Sequence, residues 1–126
     1  MPFTDSIDLL TGTAPAELSV GVTTTTTSSK FDVSQRDQIV VQFVCTNHAA
    51  GNGVFSLDGS NDGVNWTTGL ACQDLTSTNA TTYVTSKTLS SNTSAMVRPT
   101  QGFRFIRCLC TITTDGTYNA FMESSS

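Results

Sequence analysis

Leu57-Asp58-Gly59-Ser60-Asn61-Asp62-Gly63-Val64-Asn65-Trp66 decides the fold class of this chain. Two turn signals, Asp58-Gly59 and Asp62-Gly63, stand close together, and the single Trp follows them. Aspartate hydrogen-bonds its own downstream backbone, and glycine takes positive φ without a Cβ clash. Apolar alternation through Phe55 and Leu57 leads into the pair. The stretch reads as a hairpin tip between two strands, with Trp66 on the return strand.

The same alternation extends to both sides. Residues 38–46 make the strongest strand, with Ile39, Val41, Phe43 and Cys45 on one face and Val40, Gln42 and Val44 on the other. Residues 103–112 make a long strand that divides Phe103, Phe105 and Leu109 from Ile106, Cys108, Cys110 and Ile112. Residues 81–89 alternate as one strand, residues 95–98 form a short strand stopped by Pro99, and residues 117–122 close the domain after the Asp115-Gly116 turn. Residues 18–22 read as a first strand and residues 30–36 as a turn. The seven hydroxyl residues at 23–29 read as an edge strand or exposed loop. Residues 69–79 are less regular. No segment carries the helical apolar period. The expected fold is therefore all-β: an antiparallel β-sandwich, jelly-roll-like, of about eight strands. Its expected division is an irregular N-terminal arm at 1–16, a sandwich at 17–123 and a tail at 124–126.

Composition narrows the function. The chain has 126 residues, one domain's worth, with only 13% charged side chains and 38 Ser and Thr residues. A net charge of −4 with six basic residues argues against nucleic acid, which needs clustered Lys and Arg. Arg98, Arg104 and Arg107 are the tightest basic group and candidates for pairing with acidic groups on a partner. No apolar run reaches the length of a membrane-spanning helix, so no membrane partner is expected. Met1-Pro2-Phe3-Thr4-Asp5 lacks the basic start and apolar core of a secretory signal, which points to free thiols at Cys45, Cys72, Cys108 and Cys110.

Few residues carry chemistry. His48 is the single histidine, and nothing in the sequence sets a serine or cysteine against it. With two glutamates in the chain, paired-carboxylate hydrolysis has little to draw on, and no enzyme activity is expected. Asp58, Ser60 and Asp62 match the opening of a calcium loop, but the twelfth position is Gly69 rather than a bidentate Glu. Turn-capping is the competing reading of these three, and no cofactor is expected beyond this calcium candidate. Trp66 could stack a sugar ring, or it could pack across the hairpin.

The stretch at 54–67 resembles a pattern of tailed-bacteriophage structural proteins, in which an apolar strand enters a Gly-Ser-Asn-Asp-Gly tip followed by Trp. Phe105-Ile106-Arg107-Cys108-Leu109-Cys110 and Asp115-Gly116-Thr117-Tyr118-Asn119-Ala120 are similar to the last two strands of the same proteins. The resemblance spans about residues 38–122 and implies a jelly-roll-like sandwich with no catalytic residues. Within that group, a small sandwich with an apolar arm suits a capsid decoration (cement) protein. Such a protein is expected in the virion, assembled in the host cytoplasm, as a homotrimer binding the major capsid protein. Ile7, Leu9 and Leu10 of the arm, with Thr23, Thr25 and Trp66, are the expected partner contacts. The alternative is a carbohydrate- or receptor-binding module of a tail or fibre that uses Trp66 and the 58–66 loop.

Overall fold

Alternating apolar rows become eleven strand segments in the computed structural model, which describes residues 3–8, 22–28, 30–34, 38–76 and 82–125. They are β1 (Phe3–Asp8), β2 (Thr26–Thr27), β3 (Phe31–Asp32), β4 (Gln38–Thr46), β5 (Gly53–Ser60), β6 (Cys72–Asp74), β7 (Tyr83–Val84), β8 (Lys87–Leu89), β9 (Thr93–Pro99), β10 (Phe105–Ile112) and β11 (Thr117–Ser125). Among the described residues there is no helix.

Two antiparallel sheets form. One runs β1-β11-β4-β9-β6-β7; the other runs β2-β10-β5-β8, with β3 also on β10. The pairing is nested: β4 with β11, β5 with β10, β6 with β9. Successive strands thus roll the chain up from both ends, as expected of a jelly-roll-like sandwich. Each long strand buries every second side chain: Val41, Phe43 and Cys45 on β4, Phe55 and Leu57 on β5, Ile106, Cys108 and Cys110 on β10, Tyr118, Ala120 and Met122 on β11. The sheets meet at Phe43 and Phe55, whose rings stack with centroids 4.4 Å apart. Tyr118 meets Phe55 edge-on at 5.8 Å. Burying each such ring contributes about 1.5–3 kcal/mol before the stacking geometry adds to it.

The structure departs from the sequence reading at the weakly patterned segments. Residues 3–8, expected to be irregular, form β1 along β11, with Ile7 opposite Met122. Of the expected first strand at 18–22, only Val22 is described; it exchanges two backbone hydrogen bonds with Tyr118, each 2.9 Å. Residues 31–32, placed in a turn, form β3 on β10. Residues 81–89 do not make one strand: the chain breaks at Thr85-Ser86, β7 joins one sheet and β8 the other. Within 69–79, Cys72–Asp74 forms β6, paired with β9 in the same sheet and burying Cys72 and Asp74. These extra segments are why eleven strands stand where about eight were expected. The hydroxyl run does supply an edge strand, β2. All four cysteines are free and buried. Burial pushes the Cys72 thiol up to about 11 and Cys110 to about 12.

Candidate functional site

The Asp58-Gly59 pair is not a turn. Both residues lie within β5, Asp58 opposite Arg107 and Gly59 opposite Ile106 of β10. Gly59 sits close against its neighbours: a Cβ there would stand 3.2 Å from the Leu70 and Phe103 side chains. The turn falls at residues 61–65, where Gly63 takes φ +75°. Thr67 then returns beside Gly59 through two backbone hydrogen bonds of 2.9 and 3.0 Å. No return strand forms, only this bridge.

Side chains hold the tip from within. Asp62 Oδ1 accepts from the Val64 and Asn65 amides at 2.8 Å each, and Oδ2 accepts from Asn65 Nδ2 at 2.8 Å. Ser60 Oγ donates to Asp62 Oδ1 at 3.0 Å and accepts from the Gly63 amide at 2.9 Å. The Asn65 and Val64 amides hold the Asp62 carboxyl well below the usual carboxylate range. Val64, at the apex, is 76% exposed.

Asp58 sits deeper, 2% exposed. Its Oδ2 accepts from Arg107 Nε at 2.9 Å, and its Oδ1 accepts from the Gly69 amide at 3.2 Å. The Arg107 guanidinium lies 4.3 Å from the Trp66 ring centroid. Trp66 therefore stacks on the guanidinium of this ion pair rather than standing free as a platform. The calcium candidates all serve local contacts: Asp58 accepts from Arg107 and the Gly69 amide, and Ser60 and Asp62 cap the turn.

Next along the same sheet face lies a second cation–aromatic contact. Lys30 Nζ and Arg104 Cζ approach the Phe105 ring at 5.3 and 5.0 Å. Arg104 also reaches Asp32 at 3.5 Å. The three-arginine group is thereby divided: Arg98 belongs to β9 in the other sheet and donates to Gln73 at 2.8 Å. Lys30, Asp32 and Phe105 carry no local signal that could have joined them; cross-strand register brings them together.

The remaining expected contacts are scattered. Thr23 is exposed. The Thr25 hydroxyl accepts from the Ile112 amide at 3.0 Å, so it serves the β10 edge. Ile7 is in β1; Leu9 and Leu10 lie outside the described residues. His48 shares a 2.7 Å hydrogen bond between Nε2 and the Gly51 carbonyl, and its amide donates to Asn92 at 2.8 Å. Its loop is tied down by Asp115, which accepts from the Ala49 and Ala50 amides; these donors lower the Asp115 pKa.

Beneath the tip, on the side where Gly59 faces Leu70 and Phe103, a cleft of about 190 Å³ opens. Asn61, Asn65, Thr67 and Gln101 line it together with Leu70 and Phe103, and Trp66 is not among its walls. Gln101 and Phe103 carry no recognisable motif; only the fold brings this loop against the hairpin.

No protein-family model matches the chain, and no curated protein matches it in sequence. The fold is similar to the crystal structure of the SPBc2 prophage-derived protein YomS, with a TM-score of 0.68 at 10% identity. The match covers 99% of this chain and 96% of that one.

Proposed function

We propose that this chain is a structural protein of a bacteriophage virion: a capsid decoration protein that binds the outside of the head and stabilises contacts between major capsid subunits, as a homotrimer. The observation that carries the proposal is the tip, an internally hydrogen-bonded turn that presents Val64 at 76% exposure. An apolar residue fixed on a pre-ordered backbone loses little entropy on docking, which suits insertion into a partner's surface depression. The fold likeness to a prophage-derived protein over nearly the whole chain supports the phage setting.

The test is electron cryomicroscopy and mass spectrometry of purified particles. The expected result is density of this sandwich's size on the head exterior, with the tip in contact with a capsid subunit. In recombinant protein, Val64→Asp is expected to lower head occupancy while leaving the melting temperature unchanged. Absence of the chain from heads, or full occupancy by the Val64→Asp protein with the tip facing solvent, refutes the proposal.

A further inference from the structure

The cleft beneath the tip has a chemistry that the virion reading does not use. We propose that it is a binding site for a single neutral sugar ring. Four of its walls are Asn61, Asn65, Thr67 and Gln101: amides and a hydroxyl, all uncharged. Such groups offer paired donors and acceptors, which match neighbouring sugar hydroxyls and offer no counter-charge to an anion. Half-buried Phe103, with buried Leu70 beside it, supplies a small apolar contact for the C–H edge of a ring. At about 190 Å³ the space lies below the roughly 300–1,000 Å³ of sites for drug-sized molecules, so it suits one ring.

Two of the polar walls are set before any ligand arrives. The Asn61 Oδ1 accepts from the Arg104 amide at 3.1 Å, which fixes that side chain and leaves its Nδ2 uncommitted among the described residues. Asn65 Nδ2 is held by Asp62 at 2.8 Å, which leaves its Oδ1 likewise. The side chains of Gln101 and Thr67 make no hydrogen bond among the described residues. The cleft thus presents one anchored donor, one anchored acceptor and two adaptable groups. Trp66, the sugar platform suggested by sequence, lies outside the cleft and stacks on Arg107.

Gly102 provides a clean test. It lines the cleft, and a Cβ built there meets nothing within 4 Å, so a larger side chain is accommodated at its rim without disturbing packed atoms. The full chain, isotopically labelled, is titrated with neutral monosaccharides (glucose, galactose, mannose and N-acetylglucosamine) to tens of millimolar and followed by amide NMR shifts. Shifts are expected at residues 61–67 and 101–103 with at least one sugar, with dissociation constants in the millimolar range. Gln101→Ala is expected to weaken binding by about tenfold, the loss of one to two neutral contacts, and Gly102→Leu to weaken it by adding bulk at the rim. Trp66→Ala is expected to retain binding. Silence with every sugar overturns the proposal. So does binding that Trp66→Ala abolishes and the two cleft variants leave intact. Neither outcome bears on whether the protein sits on a phage head.

Discussion

Replacing Asp58 or Arg107 tests the change that folding makes to the central motif. An exposed turn aspartate can be replaced by alanine at little cost. Asp58 instead is 2% exposed, 2.9 Å from Arg107 Nε, and accepts the Gly69 amide. Asp58→Ala removes a charge-assisted hydrogen bond of about 1.5–3 kcal/mol. The freed guanidinium recovers some hydration, because the Arg107 side chain is 27% exposed. A net loss of about 2 kcal/mol follows. Arg107→Ala is worse, because it strands a carboxylate whose side chain is only 3% exposed. Breaking a buried pair in that direction costs about 3–5 kcal/mol; the partial exposure of Arg107 places this pair near 3. The double variant is expected to cost about 3 kcal/mol rather than about 5, a coupling of roughly 2 kcal/mol. The assay is urea unfolding of all four proteins followed by far-ultraviolet circular dichroism, which does not depend on the Trp66 signal. A coupling below about 0.5 kcal/mol, or a neutral Asp58→Ala, refutes the buried-pair account.

Four further outcomes follow from the packing and the ionisable groups. Gly53→Ala is expected to destabilise by about 1–3 kcal/mol in calorimetry, because the new Cβ would lie 2.4 Å from the buried Tyr118 ring, itself held by a hydrogen bond from its hydroxyl to the Asp115 carbonyl; an unchanged melting temperature counts against this contact. Asp62, Asp74 and Asp115 have pKa values held below the ordinary 3.8, Asp74 chiefly by Lys87, so the folded state binds fewer protons than the unfolded chain in acid. Their contribution is full above about pH 5 and is lost as pH falls below about 4; a urea midpoint at about pH 3 equal to that at neutrality contradicts this. Cys72 and Cys110 titrate in the fold at about 11 and 12, above their ordinary 9.0, so unfolded thiols ionise first and stability declines as pH rises past about 9. Thiol reagent at neutral pH is expected to label none of the four buried cysteines until denaturant is added, and rapid labelling of the native protein overturns that expectation.

Much of the framework was legible in local pattern. Residues 38–46 are a dense run of β-branched and apolar residues, and β4 has those bounds. The division of β10 into two faces was also readable, since side-chain direction in a strand follows from spacing alone. What failed was short segments with few apolar residues. β3, β6 and β7 are two or three residues long, and their pairing is bought by neighbours distant in sequence rather than by their own propensity. The candidate sites divide in the same way. Asp62 capping its own turn is a contact between residues two and three apart, and sequence points to it. Asp58 pairing with Arg107 spans 49 residues and Gln101 joining the hairpin's cleft depends on the fold, so sequence gives no reason to connect them.

An all-β sandwich, the faces of its long strands and a turn near Gly63 were written in the local pattern. These follow from periodicity and from the φ that glycine permits. That Asp58-Gly59 belongs to a strand follows from long-range packing alone. The register of β5 against β10 sets a carboxylate opposite Arg107 and a glycine over Leu70 and Phe103. Cross-strand partners turn a turn-forming dipeptide into a buried ion pair, because the free energy of satisfying that pair exceeds the small local preference for a turn.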